Sequence, residues 1–89
     1  MKLKENLVLK QVAGSWIVLP LASANVNFSG MLKLNESGVM LWNLLLQGKG
    51  REELADMLTK VYDIDPSTAR SDVDEFLNRL QTAGCLDME

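Results

Sequence analysis

Two apolar runs near the start of the chain predict a β-hairpin. Residues 7–12 and 15–19 are rich in β-branched and aromatic side chains, which favour half-buried strands. The Ala13-Gly14 pair between them is short enough for a tight turn, and its glycine can supply a positive φ. Pro20 ends the second run, because proline cannot donate to a strand ladder.

A third strand is predicted within residues 26–34. Its clearest part is 31–34, where Lys33 interrupts a run of apolar side chains. The Ser29-Gly30 pair just before it is typical of a bulge or a bend. Because a bulge changes which backbone groups face the neighbouring strand, the sequence leaves open which residues of this strand direct their N–H groups outward.

From Asn35 onwards the spacing of apolar residues becomes helical. Asn35 is a favourable N-cap, and Glu36 places a negative charge in the first turn. Further apolar residues on the other faces of this helix predict that it is central and covered on several sides. The helix should end at Gln47-Gly48. Its buried stripe is predicted to contain Val39, Trp42, Leu45 and Leu46.

Two more amphipathic segments predict a second and a third helix. The second runs from about Arg51 to Tyr62, and the third starts at the N-cap Asp65, with Pro66 at its first position, and ends at Gly84. The buried stripe of the second helix is predicted to be Leu54, Leu58 and Val61. The buried face of the third helix is predicted to be Ala69, Val73, Phe76, Leu77 and Leu80.

This order of elements predicts an α+β, winged-helix-like fold, in which three short N-terminal antiparallel strands are followed by three helices. The chain has 89 residues, of which 47% are hydrophobic and 24% charged. That length and balance are typical of one globular domain, so a single domain is expected over residues 1–89.

Residue types and charge exclude much chemistry. Nine Lys and Arg against twelve Asp and Glu give a net charge of −3, the wrong sign for binding phosphates. With no histidine and Cys85 as the single cysteine, an intramolecular disulfide, a Cys/His zinc site and histidine acid–base catalysis are impossible. We expect no metal, no cofactor and no enzyme activity, with Cys85 as a packing residue. No apolar run is long enough to cross a membrane, so a cytoplasmic location is expected.

Several short motifs, in order and at the right spacing, resemble the PqqD-like family. The first half of the match is Leu34-Asn35-Glu36-Ser37-Gly38, then Trp42-Asn43-Leu44-Leu45 and Gly48. The second half is Glu53-Leu54-Ala55 and Tyr62, then Asp72-Val73-Asp74-Glu75-Phe76-Leu77, Leu80 and Gly84. The resemblance covers roughly residues 5 to 87. Cys85 stands where the family pattern has an aliphatic residue, a departure that concerns packing more than function.

The resemblance implies a non-catalytic, chaperone-like adaptor. Members of the family bind the leader of a precursor peptide and present the rest to a modifying enzyme, commonly a radical S-adenosylmethionine enzyme. The namesake serves the synthesis of pyrroloquinoline quinone. In the family the leader lies along the third strand, in a groove shared with the third helix, which fits the general mode of adding a strand to a sheet edge. Carried onto this chain, the peptide-binding residues would be Gly30, Met31, Leu32, Lys33, Leu34, Asp72, Phe76 and Arg79.

Other interpretations stay open at this point. Asp72 and Arg79 are commonly plain solvated helix residues, and Phe76 is most simply a core residue. The order of elements also fits a winged-helix DNA-binding module, but the third helix carries a net negative charge, so nucleic acid is not the expected partner. A protein-interaction domain that has lost its peptide is a further alternative. A weak homodimer through the same strand edge is another.

Overall fold

The computed structural model describes residues 2–3, 7–20 and 32–87. It has the predicted α+β order of three antiparallel strands followed by three helices, with a small additional ribbon. Gly30 and Met31 lie outside the described residues. The elements are β1 (Lys2–Leu3), β2 (Leu7–Val12), β3 (Ser15–Pro20), β4 (Leu32–Leu34), α1 (Glu36–Leu46), α2 (Arg51–Tyr62), α3 (Pro66–Ala83) and β5 (Leu86–Asp87).

The three-stranded sheet has the order β2-β3-β4, with both pairs antiparallel. The predicted hairpin is confirmed, and its two-residue turn places both Ala13 (φ 52°) and Gly14 (φ 81°) in the left-handed region. A turn of this kind matches the natural twist of two antiparallel strands. The closing pair of the hairpin is Val12 opposite Ser15.

The strand register separates the two faces of the sheet. On the inner face Trp16 lies opposite Leu34 and Val18 lies opposite Leu32. These four side chains are buried or half-buried against the helices. Because side chains alternate along a strand, Lys33 lies on the outer face and is exposed.

The predicted helix boundaries are confirmed by their caps. The Asn35 side chain accepts a hydrogen bond from the Gly38 N–H at 2.9 Å at the start of α1. At the start of α3, the Asp65 carboxylate accepts hydrogen bonds from the Ser67 hydroxyl and, at 3.0 Å, from the Ser67 N–H, and these two bonds lower the pKa of that carboxyl. Gly84 ends α3 in the left-handed conformation, with φ 85°.

The core contains the whole predicted face of α3, but two residues expected in buried stripes are exposed. Val61 in α2 is 54% exposed and Leu46 in α1 is 64% exposed. Leu46 is exposed because the buried face of α1 includes Leu45, and the next residue is rotated by about 100° away from it. Val61 lies in the last turn of α2, beyond the part of the helix whose Leu58 is buried.

A two-stranded ribbon was not expected from the sequence. Leu3 of β1 pairs with Leu86 of β5, and both side chains are buried. Cys85, next to this ribbon, is fully buried, as expected of a packing residue. Within the described parts of the chain, no helix combines the length and the apolar character needed to cross a bilayer.

Candidate functional site

A cavity of about 380 Å³ lies between the start of α1, the end of α2 and one flank of α3. Its volume is near the lower end of the range of ligand pockets, so it suits one or two side chains better than a large cofactor. The residues that line it are Asn35, Ser37, Gly38, Leu41, Leu58, Tyr62, Ile64, Asp72, Glu75, Phe76 and Arg79.

The cavity has apolar walls and a charged rim. Leu41, Leu58 and Phe76 are nearly fully buried and form its apolar part. Asp72 and Glu75 are exposed, and neither has an ion-pair partner among the described residues. An apolar side chain could therefore enter the cavity while the polar backbone that carries it stays near the rim.

Arg79 connects this cavity to the strand β4. Its guanidinium Nη2 donates a hydrogen bond of 3.0 Å to the backbone carbonyl of Lys33. This contact places the cavity-lining flank of α3 beside the outer strand of the sheet. It also shows that the Lys33 carbonyl can be reached from outside the sheet.

The hairpin register independently identifies the backbone groups of β4 that face outward. The two residues that close a two-residue hairpin, here Val12 and Ser15, form two backbone hydrogen bonds with each other, each from the N–H of one residue to the C=O of the other. Since the pattern alternates along β3, Trp16 and Val18 direct their backbone groups towards β4.

It follows that Leu34 and Leu32 bond to β3, whereas the N–H and C=O of Lys33 point away from it. The Arg79 contact agrees with this assignment. Among the described strands, β4 pairs with β3 alone. Lys33 therefore offers one outward donor and one outward acceptor at the sheet edge, and the question of parity that the sequence left open is answered for residues 32–34.

The structure brings most of the candidate residues to one place. Asp72, Phe76 and Arg79 all line the cavity, and Leu32–Leu34 form the strand that Arg79 contacts. Phe76 is also a core residue, only 6% exposed. Gly30 and Met31 lie outside the described residues, so their place in the site stays a prediction.

Sequence reasoning did not select the other cavity residues. Glu75 lies on the same flank of α3 as Asp72, and its angular position on the helix could have signalled this. Tyr62 is the last residue of α2 and Ile64 lies in the α2–α3 connection, and a helical pattern does not position the end of a helix or the residues after it in space. Tyr62 is 40% exposed and gives the rim an aromatic side chain.

Gly38 allows α1 to start close to the end of β4. A β-carbon at this position would lie 3.2 Å from the Asn35 side-chain oxygen and 3.3 Å from the Leu34 β-carbon. Both distances are tighter than ordinary contacts, so a side chain would push against the helix cap and the strand together. The glycine therefore keeps the cavity wall, the cap and the sheet edge close to one another.

The opposite flank of α3 is occupied by ion pairs with α2. Arg51 donates to both carboxylate oxygens of Asp74, with the Nη2–Oδ2 distance at 2.7 Å, and Arg70 lies 3.8 Å from Glu52. The Arg51 pair lowers the pKa of the Asp74 carboxyl and raises the pKa of the arginine. This flank offers few free charges to a ligand.

No cluster suited to a metal ion is present in the described part of the chain, where no three or more acidic or cysteine side chains are grouped. The chain as a whole has no histidine. The polar groups near the cavity are two carboxylates, a guanidinium, two hydroxyls and an amide. Such groups can hydrogen-bond and pair with charges, which is the chemistry of binding a peptide.

Two solved structures resemble this chain along almost all of its length. The structure of TbiB1 in complex with the TbiA(beta) leader peptide has a TM-score of 0.80 and 26% sequence identity, and the match covers 100% of this chain and 98% of that one. A lasso peptide synthetase B1 complexed with its leader peptide has a TM-score of 0.76 and 20% identity, covering 94% and 93%. At that identity the second likeness shows the fold alone.

A search of curated proteins gives no significant sequence match. The model of the family "Coenzyme PQQ synthesis protein D (PqqD)" matches residues 15–86, a span that contains β3, β4 and all three helices. The match includes every described residue of the cavity and of the strand beside it. The chain therefore belongs to the PqqD family.

Proposed function

We propose that this protein is a non-catalytic adaptor that binds the leader of a precursor peptide and presents the peptide to a modifying enzyme. The leader would add to β4 as a further antiparallel or parallel strand and lie in the groove between β4 and the cavity-lining flank of α3. Its binding residues would be residues 30–34 of the chain together with Asp72, Phe76 and Arg79. Membership of the PqqD family and the leader-peptide complex of TbiB1 support this proposal.

The observation that carries the proposal is the position of β4, which pairs with β3 alone among the described strands, beside the cavity. Strand addition needs backbone groups that point away from the sheet, and Lys33 supplies an N–H donor and a carbonyl acceptor, the second of which accepts from Arg79 in the chain without peptide. Specificity needs a nearby pocket for side chains, and the cavity supplies apolar walls within reach of the same edge. Arg79 touches both features.

The role of the partner enzyme follows from the chemistry that this chain lacks. It has no histidine, and the carboxylates of Asp72 and Glu75 at the cavity rim are exposed. We therefore assign the covalent modification of the peptide to a separate enzyme, commonly a radical S-adenosylmethionine enzyme in this family. The adaptor contributes binding and orientation.

DNA binding, the alternative suggested by the order of elements, is not supported. The exposed flank of α3 beside the cavity presents the carboxylates of Asp72 and Glu75, which would repel phosphates. Family membership points to a different class of function.

The proposal is tested by measuring peptide binding to the full chain. Synthetic peptides from the short reading frames that neighbour the gene are titrated by isothermal calorimetry, each with a scrambled peptide of the same composition as its control. We expect one of them to bind with a Kd in the micromolar range or tighter, and its scrambled form to bind at least about tenfold more weakly.

Amide chemical shifts then locate the bound peptide. The largest changes are expected at residues 32–34 and on the α3 flank that contains Asp72 and Arg79. Changes concentrated on the flank of Asp74 and Arg70 would contradict the proposed groove. Sub-micromolar, sequence-dependent binding to a DNA duplex at about 0.15 M salt, without peptide binding, would favour the DNA-binding alternative instead.

A further inference from the structure

The outer face of the sheet carries two lysines in a row that ends at β4, which is the edge strand among the described strands. The register places Lys10, Ile17 and Lys33 side by side across β2, β3 and β4. Both lysines are exposed, and neither has an ion-pair partner among the described residues. In a chain with a net charge of −3, this row is locally cationic.

The same register defines the side chains of any strand added to β4. The added residue that lies directly opposite Lys33 has its side chain on the outer face, next to the Lys33 ammonium, and in an antiparallel strand the backbone of the same residue also bonds to Lys33. The residues before and after it have their side chains on the inner face, beside Leu32 and Leu34. This alternation holds for both directions of the added strand.

The inner face beside β4 is apolar. Leu34 is 4% exposed and is the last residue of β4. It is followed directly by the N-cap residue Asn35 and then by Gly38 of α1, which both line the cavity. A side chain on the inner face of an added strand would therefore meet leucine, the flank of α3 and the cavity walls. The sheet offers only leucine at that position, and the nearby charges are those of the exposed rim on α3, so an apolar side chain fits best directly against Leu32 and Leu34.

We propose that the groove prefers a peptide segment in which an acidic side chain opposite Lys33 is flanked on both sides by apolar side chains. This inference rests on the proposed function and adds to it the class of peptide sequence that is bound. The acidic residue pairs with Lys33 across the strands, and the two apolar residues cover Leu32 and Leu34. The preference is set by one exposed lysine and can be reversed by changing its charge.

The test uses a library of random 12-residue peptides displayed on phage, so that no natural ligand has to be known. The library is selected on the full chain and on the variants Lys33→Glu, Lys33→Gln and Lys60→Glu. Lys60→Glu is the matched control, because it changes the net charge equally at an exposed position of α2 that does not line the cavity. Circular dichroism confirms beforehand that each variant is folded.

Peptides selected by the parent chain and by Lys60→Glu should share an apolar–acidic–apolar pattern. Lys33→Glu should select Lys or Arg at the central position, and Lys33→Gln should select no charge there. For one enriched peptide, synthetic versions with Glu or Lys at the centre should differ in Kd on the parent by about 3- to 10-fold, and the order should invert on Lys33→Glu. The difference should shrink at 1 M salt, because both charges are exposed.

Two results would overturn the inference, and they are distinguishable. If Lys33→Glu selected the same central residue as the parent, the charge preference would be wrong while the peptide-binding function stood. If the parent enriched no peptides above the unselected library, the proposed function would fail, and the sequence preference would fail with it.

Discussion

The two flanks of α3 carry similar residues but differ in what those residues contact. On one flank Asp74 and Arg70 pair with Arg51 and Glu52 of α2. On the other flank, Asp72 and Glu75 have no ion-pair partner in the described part of the chain, and Arg79 reaches across to the backbone of β4. The first flank joins two helices, and the second borders a cavity and an open strand edge.

This difference shows that the net charge of a helix does not tell which of its charged side chains are available to a ligand. Asp72 and Asp74 are two residues apart and chemically identical, yet only Asp72 lines the cavity. A turn of 100° per residue places them on different flanks, so their roles depend on which element packs on each side. The flank that faces α2 stabilises the helix pair, and the flank that faces β4 is left available for a ligand.

The test with the largest expected effect changes β4, the strand that borders the cavity-lining flank of α3. Leu32→Pro removes an N–H that bonds to β3 and should leave a carbonyl of Val18 unsatisfied, at a cost of about 2 kcal/mol. For a chain of this size that corresponds to a decrease in Tm of about 10 °C. Lys33→Pro removes only the outward N–H and should change the Tm by a few degrees at most.

Peptide affinity should depend on the outward N–H, which the fold does not need. Lys33→Pro should weaken binding of a cognate leader by about 5- to 10-fold, which is the effect of losing one backbone hydrogen bond. Thermal melting and calorimetric titration of both variants check these expectations. A Lys33→Pro variant that is folded and binds the leader as tightly as the parent would exclude strand addition at this edge.

A second test compares the two arginines of α3. Arg79→Met removes the guanidinium at the cavity rim, which can donate to the peptide, and we expect leader affinity to fall about 3-fold or more. Arg70→Met, the matched change on the opposite flank, should leave leader affinity unchanged. Both side chains are exposed, so neither variant should alter the Tm by more than a few degrees. Equal losses of affinity in the two variants would mean that net charge, not the flank, controls binding.

The helices and the hairpin were predictable from the sequence because their signals are local. Asn35, Asp65 and Gly84 are caps that act within one turn of their own helix, and Ala13-Gly14 defines its turn without help from the rest of the chain. The ribbon that joins Leu3 to Leu86 was not predictable. Two residues per strand are too few for an alternating pattern, and its partners are far apart in sequence.

The candidate site was predictable only in part. Asp72, Phe76 and Arg79 were selected from a family resemblance and a helical projection, and they do lie on one cavity. The outward direction of the Lys33 backbone depends on the register of three strands, which begins at the Ala13-Gly14 turn, far from Lys33 in the chain. The local turn sets the hairpin half of this register, but the pairing of β3 with β4 joins segments that are separated in the chain by more residues than a tight turn contains.

The smallest expected effect is a difference between Asp72 and Asp74 in how the Tm of their asparagine variants depends on pH. Arg51 lowers the pKa of Asp74 below the ordinary value of 3.8, so this carboxylate adds stability that is present above that value and is lost as the pH falls through its folded pKa. The variant Asp74→Asn should therefore melt at a slightly lower temperature than the parent near neutral pH. The difference should shrink as the pH falls below about 4.

Asp72→Asn is the matched control for this measurement, since Asp72 has no ion-pair partner among the described residues. Its Tm difference from the parent should show no comparable loss in acid. Asp65, whose pKa is also lowered, contributes equally to the parent and to both variants and cancels in the comparison. If the Tm of Asp72→Asn and of Asp74→Asn depended on pH in the same way, the Arg51–Asp74 pair would not distinguish the two flanks of α3 in solution. The difference between the flanks would then rest on the cavity and on β4 alone.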